Sequence, residues 1–199
     1  MVISLIRYPN KIVKDNSSKF KTYGNRGMTL ESEINSTNEY YLANDIAIIY
    51  KKPTPVQVVK QVNNKIVDAY FKVPSTTDYN GLYKGIYIDF DAKETRSRTS
   101  YPLSNIHSHQ IKHIENVIRH GGIGFIILRF TLFNETYLLF GEDLLSFINS
   151  NDRKSIPYDY FKKKGHLIKD KLAPRVDYLE VIDKYGGIKN ETKNKKKEC

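Results

Sequence analysis

The sequence predicts an α/β fold, a sheet flanked by helices, with one hairpin projecting from it. Three observations carry that reading. Tyr87 to Lys93 alternates strictly, with Ile88, Phe90 and Ala92 on one face and Tyr87, Asp89, Asp91 and Lys93 on the other, the period of a half-buried strand. Ile46-Ala47-Ile48-Ile49-Tyr50 and Ile123-Gly124-Phe125-Ile126-Ile127-Leu128-Arg129-Phe130 are apolar runs of strand length. Two other stretches place apolar residues at helical spacing: Leu30, Ile34, Thr37 and Tyr41, then Ile106, Gln110, Ile114 and Val117. A chain of 199 residues, 40% hydrophobic, can bury the core of one domain. We place that domain at 26–188, between an N-terminal arm (1–25) and a cationic tail (189–199).

In order along the chain, residues 7–25 are polar and basic without periodic apolar positions. They read as a flexible arm, either closing over nucleic acid or simply a terminus. A helix begins at Arg26-Gly27-Met28. Arg26 is placed to contact a phosphate. Glu31 is either an acid leaning toward the central hairpin or a first-turn residue favoured by the helix dipole. Lys51-Lys52-Pro53-Thr54-Pro55 ends the first strand, because two prolines cannot continue a ladder. The chain then runs out and back through 56–69, turning at Asn63-Asn64. With Lys51, Lys52, Lys60 and Lys65 this excursion could probe DNA, or be an ordinary extra hairpin.

After the central hairpin, Arg96 and Arg98 sit among hydroxyl residues suited to phosphates. Pro102 and a Ser104-Asn105 cap predict a helix to about Arg119. Gln110 is an amide on its apolar stripe and needs a polar partner, for which a metal in the hairpin is the candidate. His109 and His113 have the spacing of a zinc pair, but no Glu follows His109 and no third ligand is in view, so they read as surface or phosphate-contacting imidazoles. Gly121-Gly122 breaks the helix, Asn134 turns the apolar strand into Tyr137-Leu138-Leu139-Phe140, and Glu142 to Ile148 reads as a short helix. The remainder is Lys-rich and mixed, with a last helix from Asp177 to Lys184.

The chemistry concentrates between Thr76 and Lys93. If Lys84-Gly85 makes a two-residue turn, cross-strand partners sum to 169, and Asp78 falls opposite Asp91 and Thr76 opposite Lys93. Opposed residues have Cβ atoms about 5 Å apart and like charges there repel. A divalent cation between them resolves the conflict; a solvated polar face is the competing reading. All-oxygen ligands favour Mg²⁺, with Mn²⁺ as a substitute, over zinc. Lys93, on the same side as Asp91, could orient water or stabilise charge developing on a phosphoryl group. Asp, then Asp-x-Lys at a strand end, resembles the D…(D/E)xK motif of the restriction-endonuclease-like nucleases. That likeness implies a mixed central sheet flanked by helices, and we expect the site at the sheet's edge.

A net charge of +10 and a pI near 9.4 point to a polyanion, either nucleic acid or an acidic membrane surface. Fifteen Tyr and nine Phe can stack on bases as well as fill a core. The single cysteine, Cys199, fits a reducing cytoplasm. The Val2-Ile3-Ser4-Leu5-Ile6 run is too short to span a membrane.

Five segments sharpen the resemblance: Arg26-Gly27-Met28-Thr29-Leu30-Glu31, Lys51 to Gln57, Ser75 to Gly81, Tyr87 to Thr95, and Pro174-Arg175-Val176-Asp177-Tyr178-Leu179. Over about residues 20–185 the chain resembles the RecU-type Holliday-junction resolvases of bacteria. The resemblance implies a cytoplasmic, nucleoid-associated homodimer that nicks opposing strands of a four-way DNA junction in recombination and repair, using Mg²⁺. The bacterial strand-exchange recombinase and branch-migration machinery are partners in that setting. It also implies that Thr76, Asp78, Asp91 and Gln110 form the metal site, Lys93 stabilises the transition state, Glu31 is a nearby acid, and the excursion is a stalk entering the junction. Asp91 stands where the family more often has Glu, and the excursion is shorter than the usual stalk. The alternatives are an endonuclease of this fold acting on other DNA structures, or a junction-binding accessory protein without catalysis.

Overall fold

The computed structural model describes residues 29–53, 56–71, 76–150 and 152–187. The arm (1–25), Arg26 and the tail (189–199) lie outside the described residues. Thr29 caps the first helix, its hydroxyl accepting from the Ser32 amide, so α1 runs Leu30–Ala43. The strands are β1 (Ile48–Lys51), β2 (Val56–Val62), β3 (Lys65–Phe71), β4 (Tyr79–Tyr83), β5 (Ile86–Thr95), β6 (Ser100–Pro102), β7 (Ile123–Phe130), β8 (Glu135–Phe140), β9 (Ser155–Pro157) and β10 (His166–Ile168). The later helices are α2 (Ser108–Arg119), α3 (Gly141–Ser150), α4 (Tyr158–Lys164) and α5 (Tyr178–Tyr185).

Six strands form one sheet in the order β1-β4-β5-β7-β8-β10. It is mixed: β5 and β7 run parallel, joined by a crossover through α2, and the other pairs are antiparallel. Alternation along β7 sends Phe125 and Ile127 into a core with Leu30 and Ile34 of α1 and Tyr178 and Ile182 of α5. Ile126, Leu128 and Phe130 enter a second core on the opposite face, with Ile114 of α2, Leu144 of α3 and Phe161 of α4. The sheet is therefore covered on both faces.

Phe90 lies between Tyr79 and Phe125 in neighbouring strands, stacked on both at centroid distances of 4.9 and 4.7 Å. This buried aromatic row fixes the register of the three strands that frame the site. At Gly81 the chains approach so closely that a Cβ would stand 2.0 Å from the Ile48 carbonyl oxygen.

Three expectations are corrected. The polar face of β5 is not solvated, because α2 lies over it and leaves Asp89 and Asp91 fully buried. β5 is an interior strand, so the site is not at the sheet's edge. Ser104 and Asn105 lie in a short 3₁₀ turn, and α2 starts later, where the Gln110 side chain accepts from the His107 amide.

Candidate active site

Lys84 and Gly85 both have positive φ (49° and 79°), the two-residue hairpin turn that matches strand twist. Lys84 carries a side chain in this conformation, and its ammonium ties the turn to Asp183 at 2.6 Å. The resulting register, Tyr79 opposite Phe90 and Asn80 opposite Asp89, has partners summing to 169 as anticipated. One residue before β4, Asp78 reaches across the strand end: its Oδ2 accepts from the Ala92 amide at 3.3 Å.

Lys93 Nζ lies 2.7 Å from Asp91 Oδ2 and 3.8 Å from Asp78 Oδ2. Gln110 Nε2 donates to Asp91 Oδ1 at 3.1 Å, the polar partner its place on an apolar stripe demanded. Asp91 Oδ2 is buried and accepts no hydrogen bond among the described residues; Lys93 faces it as an ion pair without hydrogen-bond alignment. Burial first, then the adjacent Asp78 carboxyl, pushes Asp91 up to about 7, against the opposing pull of Lys93. Tyr101 of β6 is raised too, by burial and then by the charge of Asp91. Asp78, Asp91, Lys93 and Gln110 thus meet at one point where β5 leaves the turn-distal end of the hairpin.

The other expected residues fall around this point in different ways. Glu31 is on the first turn of α1, exposed and ion-paired with Lys51. Its charge raises Tyr79 of β4, after the larger effect of burial. Thr76 is exposed, and its hydroxyl accepts from Lys52 Nζ at 3.1 Å. Lys52, expected on DNA, has its ammonium enclosed by Asp89 (2.7 Å) and Thr77 (2.6 Å). Lys60 and Lys65 are exposed on the β2–β3 hairpin, and Arg96 and Arg98 on the loop after β5. His113 Nε2 faces Asp89 at 3.0 Å, while His109 stacks on His107, so the two imidazoles have separate surroundings.

Sequence reasoning missed the group centred on Asp89, in which Lys52, Thr77, Tyr87 and His113 all meet one buried carboxylate. The signal was present: Asp89 precedes Asp91 by two residues on the same face. The Asp78–Asp91 pair suits a hard divalent cation, which is commonly held by one or two carboxylates with water and substrate oxygens completing the shell. The buried Asp91 Oδ2, which faces Lys93 as an ion pair and makes no aligned hydrogen bond, fits such a ligand. No group of three or more His, Cys, Asp or Glu side chains among the described residues is arranged around a metal.

Comparison with known proteins places residues 25–184 in the family described as Recombination protein U. The chain is 49% identical over 193 residues to the Holliday junction resolvase RecU of Bacillus cytotoxicus, covering 89% of this chain and 96% of that protein. Against the Streptococcus thermophilus protein of the same name it is 49% identical over 195 residues, 92% and 98% of the two chains. A Geobacillus relative, again named Holliday junction resolvase RecU, is 55% identical over 170 residues, 81% and 85%.

Proposed function

Because this chain belongs to the RecU family, we propose that it is a Mg²⁺-dependent endonuclease that resolves four-way DNA junctions by paired nicks, working as a homodimer. The observation that carries this reading is the meeting of Asp78, Asp91 and Lys93 at one strand end. Asp78 and Asp91 would hold the cation, with Gln110 orienting Asp91 and Thr76 beside them. When bound, Mg²⁺ supplies a Lewis acid for the scissile phosphate and acidifies a coordinated water. Gln110 fixes one oxygen of Asp91 and leaves the other directed at Lys93. Lys93, held between two acids, places its ammonium where negative charge builds on the phosphoryl oxygens. Burial that raises Asp91 makes the apo site unfavourable for two ionised carboxylates, so a cation is welcome there.

Exposed Lys60, Lys65, Arg96 and Arg98, with Arg26 and the flanking basic segments, supply contacts to the DNA backbone, so binding weakens steeply with salt. Glu31, paired with Lys51 next to the site, is an acid of its outer shell. Among the described residues the β2–β3 hairpin pairs with no other strand, which supports reading it as the stalk that enters the branch point. The strand-exchange recombinase and branch-migration machinery of the nucleoid are the partners this activity calls for. No helix among the described residues is long and apolar enough to cross a membrane.

The test is a panel of four-way, flap and linear DNA incubated with the full chain and Mg²⁺. Paired nicks confined to the four-way junction are expected, lost in Asp78→Ala and Lys93→Ala while junction binding persists. Salt-sensitive binding without nicking in the parent would favour the accessory protein. Equal cutting of all substrates would favour an endonuclease of broader target.

A further inference from the structure

The Asp89 carboxylate is fully buried on β5, two residues before Asp91 and on the same face of the strand. Four donors from three other segments and its own strand surround it. Lys52 Nζ, after β1, stands 2.7 Å from Oδ2, and the Tyr87 hydroxyl donates to the same oxygen at 2.7 Å. His113 Nε2, on α2, is 3.0 Å from Oδ2, and facing an acceptor-only carboxylate that nitrogen carries the hydrogen. The Thr77 hydroxyl donates to Oδ1.

Lys52 is the link to the site. Its ammonium also donates to the hydroxyls of Thr77 (2.6 Å) and Thr76 (3.1 Å), and its backbone amide donates to the Asp78 carbonyl at 2.8 Å. One lysine therefore grips three successive residues of the segment that delivers Asp78. A buried charge of this kind is tolerable only when fully partnered, so the carboxylate and its donors hold a single arrangement. Each of the two parallel acids also sits under α2 through one side chain, Gln110 over Asp91 and His113 over Asp89.

From this geometry we infer that Asp89, acting through Lys52 and Thr77, is a positioning residue for the cleavage reaction: it sets where Asp78 stands relative to Asp91. Lys52 then works as a strut inside the protein and makes no contact with DNA. The inference rests on the nuclease reading given above and adds to it residues whose loss leaves DNA binding intact. Partners of this second rank typically change cation affinity or activity by roughly 10–100-fold.

The experiment uses the full chain and the variants Asp89→Asn, Lys52→Met and Lys52→Arg. Nicking is followed in single turnover at saturating four-way junction across a Mg²⁺ titration, and junction binding is measured separately in EDTA. Asp89→Asn and Lys52→Met should nick roughly 10–100-fold more slowly and need more Mg²⁺, with junction Kd within about 2-fold of the parent. Lys52→Arg, which keeps charge and donors, should recover part of the rate. Parental rate and Mg²⁺ dependence in Asp89→Asn would overturn the inference. So would a loss of binding in Lys52→Met that tracks its loss of nicking, since that makes the lysine a DNA contact. Should Asp89→Asn lose its cooperative melting transition, Thr77→Val, which removes one hydroxyl at near-constant volume, is judged by the same two outcomes. A parent that fails to nick any junction rejects the nuclease reading itself, whereas a nicking parent with unaffected variants rejects the strut alone.

Discussion

The β2–β3 and β4–β5 hairpins both turn through two residues of positive φ, Asn63-Asn64 and Lys84-Gly85, and both carry β-branched and aromatic side chains. Their surroundings differ completely. β4–β5 has β1 on one side, β7 on the other and helices over both faces, so that even Asp89 and Asp91 are buried. Among the described residues β2–β3 pairs only with itself and leaves Val59, Ile66, Val67 and Tyr70 about 60% exposed. Local turn chemistry thus decides that a hairpin forms; the neighbouring strands decide whether its side chains are buried or left to solvent.

The largest effect is expected at Phe90, the centre of the aromatic row. Phe90→Ala should cost about 3–5 kcal/mol in urea unfolding, and a much smaller loss would mean that the row does not hold the central hairpin. Gly81→Ala forces a Cβ against the Ile48 carbonyl, which cannot move without parting β1 from β4. We expect about 1–3 kcal/mol of destabilisation by the same measurement.

A pH effect comes next. Asp91 sits at about 7 in the folded chain, above its ordinary value of 3.8. A carboxyl raised by folding contributes stability while it holds its proton, and that contribution disappears as pH climbs from about 4 through about 7. In EDTA, Asp91→Asn should therefore melt above the parent at about pH 8, with the gap closing toward about pH 5. A gap that widens on acidification would reverse the assigned cause. The smallest effect belongs to the outer hairpin: Ile66→Ala should change stability by less than about 0.5 kcal/mol, and a core-sized loss would show that the hairpin is packed against something in solution.

Much of this was legible along the chain because it depends on near neighbours. The period of two in Tyr87 to Lys93, the apolar run of β7 and the turn pairs at 63–64 and 84–85 each have a local cause, and so the 169 register could be read before any coordinates. That Lys93 shares a side with Asp91 followed from the same strand period, and that Gln110 needs a polar partner followed from an amide on an apolar stripe; the partner expected was a metal, and the structure supplies Asp91. What could not be read depends on elements distant in sequence. Nothing near Asp89 announces that Lys52, 37 residues away, will be its partner. Lys52 looked like a DNA contact because a lysine beside a proline turn is usually solvated; the fold instead directs it inward to 14% exposure. The strands β6, β9 and β10 have three residues each, too few to show a period, and α4 ends in Lys162-Lys163-Lys164, which masked the buried Phe161.

Direct titration with Mn²⁺, followed by electron paramagnetic resonance without DNA, addresses the cation site at its root. The parent should bind Mn²⁺, and Asp78→Ala and Asp91→Asn should each weaken that binding by at least about 10-fold while retaining the parent's fold. Unchanged Mn²⁺ binding in both variants would contradict the assignment of these two carboxylates as ligands.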